Sequence, residues 1–512
     1  MKCIISIKLY LFLCLLLNFL SVRAQIHAIK SIDPNHIGFK DLNFLKQELT
    51  GRSVVMLGEP SHREGNVFDA KIRIIKFLHE EMGFNVIAFE SGFFEVEQAQ
   101  LKIDGGGDVM EALDSALFPI WTRSEQFRPL MEYINRQKNS LKVMGFDPQI
   151  TKQGASGFIS AFKKYVVDKG LRYSMNDMLF SEVLESLSEG VFPDGVTFSA
   201  FQTEIRKATE MLKKLPASDS RSTDFWFQNL KSLELLATDY YTNRPGEKRA
   251  EDFKASDSNP RDSQMADHLS YYIRHHPNEK IICWGASLHF AAQSATLEND
   301  ELKTYKPMGQ SVRAVIGNNR VYTLATISAG GSYASWFDKE PTAVPQAATG
   351  SLEAMFAGNN QGDYQFIDSE MLKRMGVKES NMFDYTALRG DWSKVVDGIL
   401  YFKAYTPVLP ALLNNTNQLI RQDNGQQQNS AQAMPNGKSL WRINKTGSLV
   451  IDLDDVVVRP SDGNAVQIVK KAFESLERHL NQNTYTMGFY VDTQVANLDS
   501  TTYHLEYTGI IL

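Results

Sequence analysis

Between residues 53 and 146 the hydrophobic pattern changes period again and again, and this alternation limits the chain to few folds. Ser53-Val-Val-Met-Leu57 is an apolar run of strand length. Val67, Ile74, Ile75, Leu78 and Met82 then recur at helical spacing. Asn85-Val-Ile-Ala-Phe89 is a second short run, followed by a helical pattern through Val96 to Leu101. Phe127 to Gln137 is helical again, and Leu141 to Phe146 is a third run. Lys280-Ile-Ile-Cys-Trp284 is a fourth, with Val321–Ile327 and Gly398–Phe402 further on. Apolar runs that do not alternate with polar residues suit strands covered on both faces, and strand–helix alternation is the mark of a parallel sheet. The expected class is α/β: a mostly parallel sheet flanked by helices.

Two stretches interrupt this pattern. From about 171 to 245 the strand signals fade. Met178 to Leu187, Ile205 to Leu215 and Phe225 to Leu236 read as helices, which predicts a helical insertion or lid. Asn259 and Pro260 then open another helix, with Asn259 as its expected cap. The second break is residues 412–438. Asn and Gln fill 12 of the 25 positions from 414 to 438, too little apolar matter to offset ordering entropy, so this is expected to be a linker. It divides a main domain, residues 25–411, from a small α+β domain at 439–512. That second domain has predicted strands at Leu449–Leu453 and Tyr485–Val491 and a helix near Val466–Leu480. No chemistry is read in it.

The start of the chain predicts export. Lys2 and Lys8 precede the apolar run Leu9–Leu20, and Ser21-Val-Arg-Ala24 follows, so residues 1–24 read as a signal peptide and the protein as periplasmic or secreted. The apolar run is too short for a stable membrane span. Of the three cysteines, Cys3 and Cys14 leave with the leader and Cys283 sits in an apolar run, which excludes a disulfide scaffold. A net charge of −6 with no basic stripe gives no reason to expect a nucleic-acid partner.

Chemistry is expected at the carboxyl ends of the strands, where open α/β sheets bind ligands. Glu59 and His62 follow the first strand, Glu90 the second, Asp147 the third and His289 the fourth. A carboxylate near an imidazole fixes its tautomer and raises its basicity, as a general base requires. Glu90 ends an apolar strand, so burial would raise its pKa unless a cation pairs with it; Lys71 or Arg73 is the expected cation. Arg261 and Asp262, at a helix start, fit a cap and a surface pair as well as a cleft. Phe93 and Trp121 read first as core aromatics. The absence of Gly-x-Ser-x-Gly disfavours a serine hydrolase, and there is no His-Glu-x-x-His or Walker loop. Glu59, His62, Glu90 and His289 also form a ligand set acceptable to zinc or iron, so metal-dependent chemistry stands as a second reading.

These residues resemble the erythromycin esterase family. The similarity begins at Leu57-Gly-Glu59-Pro-Ser-His62 and continues through Phe68, Lys71, Arg73, Leu78, Gly83-Phe84 and Ala88-Phe-Glu90. It extends over about residues 40–410, through Pro119-Ile-Trp121, Gly145-Phe-Asp147, Arg261-Asp262, Met265-Ala266, Trp284 to His289 and Met308-Gly309. The resemblance implies metal-independent hydrolysis of a macrolide lactone ester, without a covalent intermediate and with no cofactor. In that scheme His62 activates water, Glu59 orients His62, and Glu90 with Lys71 positions water and substrate. Arg73, Asp147 and Arg261 are expected to assist in positioning. The helical segment would wall a large cleft. One departure stands out. The family commonly shows two histidines three apart after the fourth strand; here Ala286 replaces the first and His289 remains. An oxyanion contact of that kind is worth about 3–4 kcal/mol. The leading expectation is therefore a hydrolase of a small-molecule ester or lactone, and Ala286 motivates a third reading as a non-catalytic binding protein.

Overall fold

The computed structural model describes residues 26–216, 220–245, 252, 254–359, 361–411, 441–443, 449–451, 487–496 and 502–511. The predicted leader, the Asn/Gln-rich linker and the predicted helix at 466–480 lie outside the described residues. The chain divides into two units, Met1–Leu412 and Leu413–Leu512.

The first unit is built on an eight-stranded sheet. Its strands are β1 (Ile26–Ala28), β2 (Val54–Glu59), β3 (Val86–Gly92), β4 (Lys142–Asp147), β5 (Ile281–Ala286), β6 (Val321–Ser328), β9 (Tyr364–Ile367) and β12 (Gly398–Phe402). Two small ribbons lie outside it: β7 (Ser332–Tyr333) with β8 (Thr342–Ala343), and β10 (Val377–Phe383) with β11 (Thr386–Asp391). The order across the sheet is β1-β9-β12-β6-β2-β5-β3-β4. From β12 to β4 every pairing is parallel; β9 pairs antiparallel with both β12 and β1 at the far edge. The mostly parallel α/β class read from the alternation is therefore correct. The short edge strands β1 and β9 carry too few residues to announce a period and were not anticipated.

Alternate residues of each central strand feed different cores. Val55 and Leu57 of β2, with Ile282 and Trp284 of β5, join one cluster; Val54, Met56, Ile281 and Cys283 join the other. This is why the runs read as continuously apolar. On the first face lies α1 (Gly65–Met82), buried almost all round. Gly83 takes φ 69°, and Phe84 N–H donates to the Leu78 carbonyl, closing the helix with a left-handed residue that favours glycine. α2 (Phe93–Asp104) leaves β3 and contributes to both cores. Helices α3 (Lys152–Asp168), α4 (Asp177–Ser188), α5 (Phe198–Leu212), α6 (Ser220–Thr242), α7 (Asn259–His275) and α8 (Met308–Ile316) cover the second face. Phe180, Phe201 and Trp226 of the helical segment lie in that second core, so it is a packed layer. No helix among the described residues is long and apolar enough to cross a membrane.

In the second unit the described strands are β13 (Trp441–Ile443), β14 (Leu449–Ile451), β15 (Met487–Ala496) and β16 (Thr502–Ile511). They form two antiparallel pairs, β13 with β14 and β15 with β16.

Candidate active site

The sheet order decides the site. β2, β5, β3 and β4 are consecutive neighbours, so their carboxyl ends bring Glu59, the Ala286–His289 turn, Glu90 and Asp147 side by side. Adjacent strands lie about 4.8 Å apart, which puts these groups within mutual reach. In β3 the register against β4 shifts between Phe89 and Gly92, so Glu90 and Ser91 occupy an irregularity of the kind that re-aims side chains beside active sites.

Glu59 is fully buried and saturated with donors. Lys71 Nζ donates to its Oε2 at 2.6 Å, while Trp121 Nε1–H at 2.9 Å and His62 Nδ1–H at 2.5 Å both donate to Oε1. Burial works against its charge, but Lys71 above all, then His62, holds the carboxyl below its ordinary pKa. Lys71 is equally buried, with its ammonium 3.9 Å from the centroid of the Trp284 ring. Burial lowers its pKa, with Glu59 opposing. His62 keeps 27% of its side chain exposed, and its ring stands edge-on to Trp121 at 5.5 Å. With Nδ1 committed to Glu59, Nε2 is the nitrogen left to exchange a proton. Burial disfavours the imidazolium, but the bond and charge of Glu59, with Glu90 and Glu64 beyond, outweigh it and raise the His62 pKa. The backbone here is strained. His62 has φ 64°, a left-handed conformation costing a non-glycine residue about 1–3 kcal/mol.

Around Glu90 a second cluster forms. Arg261 NH2 donates to Glu90 Oε1 at 2.9 Å and also bonds Asp147 Oδ2, while Arg261 Nε lies 3.2 Å from that same Asp147 oxygen. The Ala286 backbone N–H donates to Glu90 Oε2 at 2.8 Å. Gly285 makes room for this carboxylate: a Cβ there would stand 2.5 Å from Glu90 Oε2 and 3.0 Å from the Phe290 ring. Burial would raise the Glu90 pKa, but His289, Arg261 and His62 bring it down to about 2. The expected cation is therefore present, but it comes from α7 and not from α1.

His289 completes the cluster. Its Nδ1–H points between both oxygens of fully buried Asp262, at 2.9 and 3.0 Å. Its Nε2 lies 3.4 Å from Glu90 Oε1 and 3.4 Å from Arg261 NH1. Burial opposes its charge, but Asp262 and then Glu90 raise its pKa. Tyr305, almost wholly buried, places its hydroxyl 3.2 Å from Nδ1. The Met308 N–H donates to Asp262 Oδ1 at 2.9 Å, fixing that carboxylate against the start of α8.

Glu59, His62, Lys71, Glu90, Asp147, Arg261 and His289 thus converge on one edge of the sheet. Arg73 does not. Its guanidinium pairs with Asp41 at 2.6 Å and donates to the Ser31 and Gly38 carbonyls, anchoring the segment before β2. The reason is helical geometry: residues two apart on α1 diverge by about 200°, so Lys71 and Arg73 cannot serve the same site. Asn259 also departs from expectation. Ser258 is the cap, and Asn259 instead donates to the Thr304 carbonyl and accepts from Lys306 N–H, pinning the turn that carries Tyr305. Tyr305 was not singled out from sequence; Asp262 was weighed with Arg261 as a cleft residue, but a carboxylate at a helix start reads equally well as a capping feature. Each carboxylate of the cluster already faces a cation or an imidazole, and among the described residues no group of three His, Cys, Asp or Glu side chains converges as a metal site.

Two histidines, each backed by a buried carboxylate, at the carboxyl edge of a parallel sheet define an α/β protein equipped for acid–base chemistry. The chain belongs to the erythromycin esterase family, whose model matches residues 79–404. That span includes Glu90, Asp147, Arg261, Asp262 and His289 and begins downstream of the Glu59–His62 loop. YbfO of Bacillus subtilis (strain 168), provisionally named a hydrolase, is 26% identical over 352 residues, 63% of this chain and 76% of that protein. Family and relative together put the chain among the hydrolases. Solved structures of the same fold include a succinoglycan biosynthesis protein (TM-score 0.57, 19% identity, covering 75% of this chain and 96% of that one). A mutant of the erythromycin esterase EreC in its open conformation is also similar (TM-score 0.53, 14% identity, covering 76% and 99%).

Proposed function

We propose that the protein hydrolyses a carboxylic ester or lactone by direct attack of water, with His62 as general base and His289 as general acid. The observation that carries this reading is the presence at one sheet edge of two imidazoles, each with Nδ1 turned to a buried carboxylate, with His289 Nε2 3.4 Å from Glu90. Nε2 of His62 takes a proton from water as its oxygen bonds to the ester carbonyl carbon. Nε2 of His289 gives a proton to the departing alkoxide as the carbon–oxygen bond breaks. One ester and one water become one acid and one alcohol, and proton exchange with solvent resets both rings. Glu59 and Asp262 fix the tautomers and stabilise the imidazolium forms. Glu90 stays ionised and orients the attacking water; Lys71 and Arg261 supply the balancing charge. The family's name and the EreC likeness make a macrolide lactone the first substrate to test, and the leader-like residues 1–24 support action outside the cytoplasm.

The pH profile tests the pairing. Both imidazole pKa values are raised above the ordinary 6.5. His62 serves as a base only when neutral, so kcat/KM should rise with pH through a pKa above 6.5. His289 serves as an acid only when protonated, so activity should fall again at higher pH. Glu90, at about 2, contributes no limb near neutrality. Glu59→Gln removes the charge that raises His62, so the acid limb should move to lower pH as kcat falls. An acid limb unmoved by Glu59→Gln would contradict the assignment. Loss of turnover on chelation, restored by a divalent metal, would favour the metal-dependent reading; tight retention of a ligand without turnover would favour a binding protein.

A further inference from the structure

The strain at His62 has to be held by something, and the residues that hold it lie outside the acid–base pairs. Glu64, fully buried, is two residues beyond His62 in the turn between β2 and α1. Its Oε2 accepts the backbone N–H of Ser61 at 3.3 Å and of Arg63 at 3.2 Å, the residues on either side of His62. Its Oε1 accepts the Ser61 hydroxyl at 2.5 Å and the Tyr385 hydroxyl at 2.6 Å. One carboxylate therefore closes the turn around the imidazole from both sides.

Tyr385 comes from the tip of the β10–β11 hairpin. Asp384 and Tyr385 take φ of 43° and 58°, the pair of left-handed residues that a tight two-residue hairpin turn requires. Asn-Gly or Asp-Gly would adopt this turn more easily, so a tyrosine there spends backbone freedom to place a side chain. Its ring stacks on Tyr333 at 4.0 Å and 14°, which fixes the hydroxyl over Glu64.

We propose that Glu64 and Tyr385 form a clamp that holds His62 in its left-handed conformation, making both positioning residues for the base. The proposal rests on His62 being that base. It assigns the β10–β11 hairpin a part in the chemistry, through the bond from Tyr385 to Glu64.

The test separates hydroxyl from ring. Tyr385→Phe keeps the Tyr333 stack and removes one bond to a charged acceptor, so kcat on a p-nitrophenyl ester should fall about ten-fold with KM little changed. Glu64→Gln should fall further, because its single amide oxygen cannot accept all four bonds that the two carboxylate oxygens take from the Ser61 and Arg63 N–H groups and the Ser61 and Tyr385 hydroxyls. The second readout is the proton resonance of the His62 Nδ1–H bonded to Glu59, which should shift or broaden in both variants without any substrate. Tyr385→Phe covers the case in which Glu64→Gln fails to fold. Wild-type kcat together with an unmoved resonance in Tyr385→Phe would overturn the clamp. Should His62→Ala keep full turnover, the base assignment fails on its own, and the resonance still decides whether the clamp holds the ring.

Discussion

His62→Ala should lower kcat by about 10²–10⁴-fold, the usual contribution of a positioned general base. Its folding should change little. Glu59 keeps Lys71 and Trp121 as partners when the imidazole goes, so no buried charge is abandoned. Alanine enters the left-handed region somewhat less readily than histidine, so a small loss of stability is expected at this turn. Activity and thermal unfolding measured on the same preparation separate the two effects. Turnover that survives in a well-folded His62→Ala protein would remove the base from the account.

The opposite balance is expected for Arg261→Leu. Glu90 and Asp147 are buried, and Arg261 is the cation that bridges them. Removing one partner of a buried ionic cluster leaves uncompensated charge and costs about 3–5 kcal/mol. The first unit should unfold at a clearly lower temperature or denaturant concentration, and turnover should vanish with it. Arg261→Lys should recover part of the stability only, since a single ammonium lacks the planar fork that serves two carboxylates at once. A leucine variant that unfolds like wild type would mean that Glu90 and Asp147 need no counter-charge.

Those two residues also show what sequence can and cannot disclose. Glu59, Glu90, Asp147 and His289 were legible because each follows an apolar run of strand length, and a parallel sheet sends all such ends to one edge. Their adjacency was not legible: the order β2-β5-β3-β4 places a strand from residue 281 between strands from residues 54 and 86, and no local pattern encodes that. Asp262 was ambiguous for the same reason. A carboxylate in the first turn of a helix reads as a capping feature until α7 is seen against the turn carrying His289. Lys71 and Arg73 look interchangeable in a line of text, and only the phase of α1 against β2 sends one to Glu59 and the other to Asp41. Glu64 and Tyr385, 321 residues apart, were invisible because neither sits at the end of a strand in the main sheet.

The central claim is that this edge adds water to an ester through its own side chains. The most direct measurement is mass spectrometry of macrolides and simple esters and lactones after a single turnover in oxygen-18 water, with enzyme in excess and with and without chelator. The account predicts that at least one substrate gains one labelled water, that the protein mass stays unchanged throughout, and that chelator makes no difference. No water addition to any of them, or a covalent adduct on the protein, would contradict it.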